Sequence, residues 1–203
     1  HVQPTAHADN SDGYFGSLQR RLISDGFDKN GIKRLYSRPQ VNFDTKRVSM
    51  YFVHKESKLN YGQFLERGSV EKARIYMKTH RAKLAEAERK YGVDKEVITG
   101  ILLVETRLGT YIGKSNVFNV LSTMAALLDT NVRNMLWEKI PSSTRLSRGE
   151  FETKADQKSG WAYNELKAFL TYTAKEKINP LGVNGSYAGA MGICQFMPSN
   201  ILT

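Results

Sequence analysis

The stretch Asp94–Gly109, DKEVITGILLVETRLG, decides how the rest of the chain is read. Asp94 is a residue type that caps helix N-termini, Glu96 suits the positive end of the helix dipole, and Gly109 supplies a stop. A helix is therefore expected from just after Asp94 to Leu108. At about 100° per residue, Ile98, Ile101, Leu102 and Leu108 fall on one side of it with Glu105 among them, and Thr99, Thr106 and Arg107 fall away. A carboxylate on the buried side of a helix loses hydration, and in the last turn it also faces the negative end of the dipole. Both effects favour the neutral acid. An acid held in that form is what glycosidic cleavage asks for, because the leaving oxygen must receive a proton as its bond to the anomeric carbon breaks. The plainer reading makes Glu105 a rim residue paired with a neighbouring base. Pattern alone leaves both open.

Working outward, the residues before this helix show the same periodicity. Ala73, Met77, His80, Leu84, Ala87 and Tyr91 recur at spacings of four and three, which predicts one long helix from about Ser69 to the stop at Gly92. Near the start, Phe15, Leu18, Leu22 and Ile23 give a short amphipathic helix, and Ile32, Leu35 and Tyr36 give a second that ends at Arg38-Pro39. Val48–Val53 reads as a short strand or an extended packing segment. Beyond Gly109, helices are expected over Val117–Leu128, Val132–Ile140 and about Thr153–Lys177, with Trp161, Leu166, Phe169 and Leu170 anchoring the last. Ser147-Arg148-Gly149 marks a loop and Asn179-Pro180 a break. The chain is mainly α, with one Gly-rich stretch, Gly182–Gly192.

Composition narrows the class. The 203 residues are 40% hydrophobic, enough for one sizeable core, and carry a formal charge of +10. Such a balance favours polyanionic surroundings. Nucleic acid is not expected as a partner: there is no zinc-finger spacing, no aromatic RNA-binding strand and no basic helix ahead of heptads, and the bases are scattered among acids. No apolar run approaches the roughly 20 residues that cross a bilayer. The polar start lacks the pattern of a secretory signal, so a mature chain or a recombinantly expressed one is expected. The single cysteine, Cys194, has no intrachain partner, and neither a metal site nor a cofactor is expected. No local signature pairs it with His54 or His80 as a nucleophile, and an inert, partly buried thiol is the expectation.

Two ordered motifs carry a resemblance. Val104-Glu105-Thr106-Arg107-Leu108-Gly109, preceded by Tyr91-Gly92-Val93, and the run from Gly185 through Ser186-Tyr187-Ala188-Gly189-Ala190-Met191-Gly192-Ile193-Cys194-Gln195 to Ser199 resemble the membrane-bound lytic murein transglycosylase B family. The similarity spans about Gln63–Ser199, apart from a divergent stretch between Leu128 and Ile178. It implies a lysozyme-like helical transglycosylase domain over residues 61–203, after a flexible tail (1–12) and a helical or irregular N-terminal segment (13–60). Family members continue well beyond the second motif, so a domain incomplete at its C-terminal end is expected.

The resemblance also implies chemistry. The family's sole catalytic acid and base falls on Glu105, and its sugar-binding serine and glutamine fall on Ser186 and Gln195. The implied reaction is non-hydrolytic cleavage of the bond between N-acetylmuramic acid and N-acetylglucosamine, giving 1,6-anhydromuramyl ends without metal or cofactor. The partner would be peptidoglycan strands in the bacterial envelope, periplasmic or at the outer membrane, with room for a membrane tether outside this chain and for envelope protein partners. Two alternatives stay open: a hydrolytic muramidase and a noncatalytic peptidoglycan-binding protein. The chain departs from the family at Leu108, where an aromatic residue is common, and at Asn200–Thr203, where a tyrosine is expected. The span between the motifs is also long, with the surplus placed around Arg145–Gln157. The glycines of the second motif equally suit tight turns, with Met191, Phe196 and Met197 as core.

Overall fold

The computed structural model describes residues 10–53 and 60–202. Of the tail expected over residues 1–12, residues 1–9 lie outside the described residues, and Asn10 already begins α1. Three helices open the chain: α1 (Asn10–Ser24), α2 (Lys29–Tyr36) and α3 (Thr45–Val53). The strand or extended segment expected over Val48–Val53 is thus a correction. The segment is helical because Val48 and Phe52, four residues apart, both enter the core.

Helices α4 (Arg67–Thr79), α5 (Arg81–Tyr91) and α6 (Lys95–Thr106) follow. The single helix expected from Ser69 to Tyr91 breaks at His80, which sits at φ −104°, ψ 21° and belongs to neither helix. Of the periodic residues that suggested one helix only Leu84 is buried, so little packing energy holds the two halves in line. Gly92 ends α5 in the left-handed conformation, as its sequence position indicates. Asp94 occupies the N-cap position of α6 but makes no side-chain cap bond; the Glu88 carboxylate accepts from the Lys95 N–H instead, at 3.2 Å.

Past α6 come β1 (Ser115–Asn116), α7 (Val117–Ala126), α8 (Thr130–Lys139), α9 (Arg148–Lys175), β2 (Asn184–Gly185) and α10 (Pro198–Ile201). The loop expected at Ser147-Arg148-Gly149 is a second correction. Ser147 caps α9 by accepting from the Glu150 N–H while the Glu150 carboxylate accepts from the Ser147 N–H, a capping box that starts the helix at Arg148.

All ten residues of α7 are buried, and a helix that is apolar on every side belongs in the interior. It packs on α9, α1 and α3, and Phe15, Leu18, Leu22, Tyr36, Phe52, Phe118, Leu166 and Phe169 share one core with it. The three polar residues of α7 each find a partner, which burial requires. Asn119 accepts from the Asn42 N–H and donates to the Gln40 carbonyl, Ser122 bonds the Tyr36 hydroxyl, and Thr123 accepts from the Asp44 N–H. These bonds dock the connection between α2 and α3. Arg133 ties α8 to α9, donating to the Leu127 carbonyl and to Glu152 and Asp156. Helices α4, α5 and α6 pack on one another beside this core. No helix among the described residues is long and apolar enough to cross a membrane.

Candidate active site

The buried stripe of α6 is Thr99, Leu102, Leu103 and Thr106, while Glu105 and Ile101 are exposed. The expected burial of Glu105 is therefore corrected: the stripe is centred one residue along, on Thr106. Thr99 and Thr106, expected to face away, are 1% exposed each. Their hydroxyls can be buried because each finds an acceptor: Thr99 donates to the Lys95 carbonyl four residues earlier at 2.7 Å, and Thr106, 3.3 Å from the Leu102 carbonyl, donates to that of Ile193 at 2.8 Å. With Val97, Ile101 and Val104 on the opposite side, the helix is apolar around most of its circumference, and its wheel has no unique buried face. Desolvation by the helix face accordingly drops out of the account of Glu105. The rim-pair reading also finds no support, since Glu105 makes no ion pair or hydrogen bond with any described residue.

The end of α6 sets the direction of the chain beyond Glu105. Arg107, Leu108 and Gly109 all have positive φ, at 50°, 61° and 86°. The Leu108 N–H donates to the Leu102 carbonyl and the Arg107 N–H to the Leu103 carbonyl, a Schellman closure built on non-glycine residues. The chain then turns back so that Tyr111, Gly113 and Lys114 stand on the same side as Glu105.

The opposite wall is the second motif, folded around a minimal sheet. β1 pairs antiparallel with β2, Ser115 opposite Gly185, and Gly185 also bridges Met191, which in turn bridges Phe196. A Cβ on Gly113 would lie 2.0 Å from the Gly185 carbonyl oxygen, and one on Gly185 would lie 2.1 Å from that of Ala190. Only glycine permits backbones so close. Thr106 joins the two walls by donating to the Ile193 carbonyl at 2.8 Å and accepting from the Gly109 N–H at 3.0 Å. Glu165, buried on α9, fixes the far end by accepting from the Ser199 N–H at 2.9 Å and hydroxyl at 2.7 Å.

Between the walls lies a cavity of about 600 Å³ lined by Glu105, Ser186 and Gln195 together with Lys46, Arg47, Met50, Tyr111, Lys114 and Tyr187. All three residues singled out by sequence meet there. The Ser186 hydroxyl oxygen accepts from the Ala188 and Ala190 N–H groups at 3.2 and 3.0 Å, which organises the turn and leaves its own proton to donate. The Gln195 amide nitrogen donates to the Ile112 and Gly192 carbonyls at 3.2 and 2.9 Å. Its side-chain oxygen is the group left to accept.

Sequence reasoning missed the tyrosines and the cations of this cavity. Tyr111 and Tyr187 sit in or beside the quoted motifs but carried no periodicity. Lys46 and Arg47 come from α3, far away in sequence, and no local pattern points to them. Glu105 is the one carboxylate among the described residues that line the space. Of the residues offered as core in the second motif, Met191 is buried and Met197 packs against the core, but Phe196 is corrected: although its backbone bridges Met191, its side chain is 50% exposed.

Cys194 is half-buried, and burial first, then the nearby Glu105 carboxylate, pushes its thiol above the usual value. A nucleophile needs the opposite shift. His80 packs tilted against Tyr76, with ring centroids 4.2 Å apart, and His54 lies outside the described residues. Among the described residues no group of three or more His, Cys, Asp or Glu is placed to hold a metal ion.

A mainly helical domain with a carboxylate at a helix end, facing a two-stranded sheet and a Gly-rich loop across a cleft, defines the lysozyme-like class. The Transglycosylase SLT domain family matches residues 10–203, and the chain belongs to that family. It is 30% identical over 138 residues to membrane-bound lytic murein transglycosylase B of Escherichia coli (strain K12), covering 68% of this chain and 31% of that protein. Among solved structures, soluble lytic transglycosylase SltB1 from Pseudomonas aeruginosa superposes with a TM-score of 0.70 at 24% identity, over 92% of this chain and 55% of that one. The E. coli lytic transglycosylase Slt35, solved in complex with bulgecin A, gives 0.65 at 22% identity, over 100% and 59%. SltB3 from P. aeruginosa, solved in complex with NAG-anhNAM-pentapeptide, gives 0.69 at 20%, over 93% and 44%. The chain thus spans under a third of its curated relative and about half of the solved chains.

Proposed function

We propose that this chain is the cleaving part of a peptidoglycan lytic transglycosylase of the bacterial envelope, periplasmic or outer-membrane-associated, with Glu105 as its acid and base. The observation that carries the reading is the meeting of Glu105, unpaired among the described residues, with Ser186 and Gln195 in one cavity. In the proposed reaction Glu105 gives its proton to the oxygen linking N-acetylmuramic acid to N-acetylglucosamine as the bond from that oxygen to the anomeric carbon breaks. The carboxylate then takes the proton of the muramyl C6 hydroxyl, whose oxygen bonds the anomeric carbon. Glu105 ends as it began, no water is consumed, and one carboxylate suffices, whereas the usual retaining or inverting glycosidase uses two at a set separation.

The remaining groups suit a sugar strand. Ser186 offers a proton and Gln195 an acceptor, while Tyr111, 60% exposed, and Tyr187 present aromatic surface where Leu108 does not. Lys46, Arg47 and Lys114 suit a polymer that carries peptide carboxylates.

The test is the chemistry of the product ends. Incubated with purified sacculi, the protein should release muropeptides whose mass spectra show 1,6-anhydromuramyl ends. Ends that borohydride reduces would instead indicate a hydrolase, and sacculi that bind the protein without releasing anything would indicate a binding protein.

A further inference from the structure

A second concave site lies apart from the Glu105 cavity and shares no lining residue with it. It is a cleft of about 470 Å³ between the end of α2 and the 3₁₀ turn at Pro180–Gly182. Arg34 and Arg38, four residues apart, both line it. Neither guanidinium has an ion-pair or hydrogen-bond partner among the described residues, and no carboxylate lines the cleft. A helix C-terminus accounts for one cation near its last carbonyls. It does not account for Arg38, which lies past the end of α2 and lines the same hollow as Arg34.

Asn179 and Gln40 also line the cleft. Asn179 spends its side-chain oxygen on the Leu181 N–H at 3.1 Å, which leaves its amide N–H groups to donate. The side-chain amide of Gln40 has no partner among the described residues, and can both donate and accept. Leu35 and Leu181 supply an apolar wall. The walls are fixed from behind, because the Leu181 carbonyl accepts from Asn116 at 2.8 Å and the Gln40 carbonyl from Asn119 at 2.9 Å, both in or next to the first turn of the buried helix α7.

A lone inorganic anion would fill a small part of this volume and leave the apolar wall and the amides unused. A peptide carboxyl terminus uses every element: its carboxylate takes the guanidinium forks, which match a carboxylate two bonds at a time. A small alkyl side chain lies on Leu35 and Leu181, and the last peptide groups bond Gln40 and Asn179. We infer that the cleft between α2 and the Pro180 turn binds the free carboxyl terminus of a short peptide ending in a small apolar residue.

The experiment is titration calorimetry with the whole chain and a short peptide ending in alanine, run beside the same peptide with an amidated terminus and beside inorganic phosphate. The free acid should bind, the amide should bind at least about tenfold more weakly, and Arg34→Gln/Arg38→Gln should lose the difference while keeping the wild-type melting temperature. Equal binding of acid and amide, phosphate binding as tight as the peptide, or no binding of the free acid would each overturn the inference.

Discussion

The Thr106 hydroxyl donates to the Ile193 carbonyl at 2.8 Å and so joins the helix end that carries Glu105 to the loop that carries Gln195. It is the next residue after Glu105, turned about 100° from it around α6, and is 1% exposed. Replacing it with Val keeps the shape but strands the Ile193 carbonyl and the Gly109 N–H. Thr106→Val should therefore cost about 1–3 kcal/mol in thermal or denaturant unfolding and slow muropeptide release, while Thr106→Ser, which keeps the hydroxyl, should recover most of both. Unchanged release by a destabilised Thr106→Val would show that the bond serves the fold and not the alignment of the two walls.

Close backbone contact gives a second prediction. Gly113 has φ 92° and leaves no room for a Cβ against the Gly185 carbonyl. Gly113→Ala should lose about 3 kcal/mol of stability and displace Ser186 from the cavity. Gly160 lies inside α9 with nothing within 4 Å of a built Cβ. Gly160→Ala should instead gain about 0.5–1 kcal/mol by removing glycine's entropy in a helix interior. Similar melting temperatures for the two variants would count against the described sheet.

These two cases show what was legible in the chain. The helices of the second half, and the stop at Gly92, could be read because burial there follows a simple period and because Gly and Pro act locally. The break at His80 could not, since Leu84 alone of the periodic residues around it is buried. The face of α6 was misplaced because a threonine was counted as polar, although it can satisfy its own hydroxyl on the preceding turn. Ser186 and Gln195 were singled out through resemblance, and both line the cavity with Glu105. Lys46 and Arg47 were not, because tertiary packing alone brings α3 to the cavity.

The thiol of Cys194 reports on the distance to Glu105. Burial and, second, the Glu105 charge push it above the usual 9.0. Iodoacetamide should therefore alkylate the native protein more slowly at pH 8 than the unfolded chain. Glu105→Gln removes the charge and should speed alkylation modestly, burial being the larger cause. No change on that substitution would place the two side chains further apart than the structure has them.

Part of the acid sensitivity should come from two held carboxylates, Asp25 and Glu152. The Lys167 and Tyr163 hydrogen bonds hold Asp25 below its ordinary 3.8, and the Arg133 hydrogen bond, followed by the Arg148 charge, holds Glu152 below 4.5. In each case the unfolded chain takes up protons first as the pH falls. The contribution is fully present above about pH 5 and is lost as the pH drops through the lowered folded values. Unfolding followed between pH 6 and pH 2 should show stability falling with pH, and Asp25→Asn with Glu152→Gln should flatten that slope. A slope unchanged in the double variant would move the acid sensitivity elsewhere.

The basic residues around the cavity should matter for attachment. Lys46→Gln with Lys114→Gln should weaken binding to sacculi and make it less sensitive to salt, with the melting temperature unchanged. Salt dependence identical to wild type would assign that role to other bases of this chain.

The central claim is that Glu105 performs the cleavage, and the most direct measurement compares the rate of soluble muropeptide release from sacculi by wild type and by Glu105→Gln at equal folded concentration. Loss of a general acid and base should slow release by about 10²–10⁴-fold with no change in melting temperature or sacculus binding. Release by Glu105→Gln at the wild-type rate would contradict the account and assign the chemistry to another group.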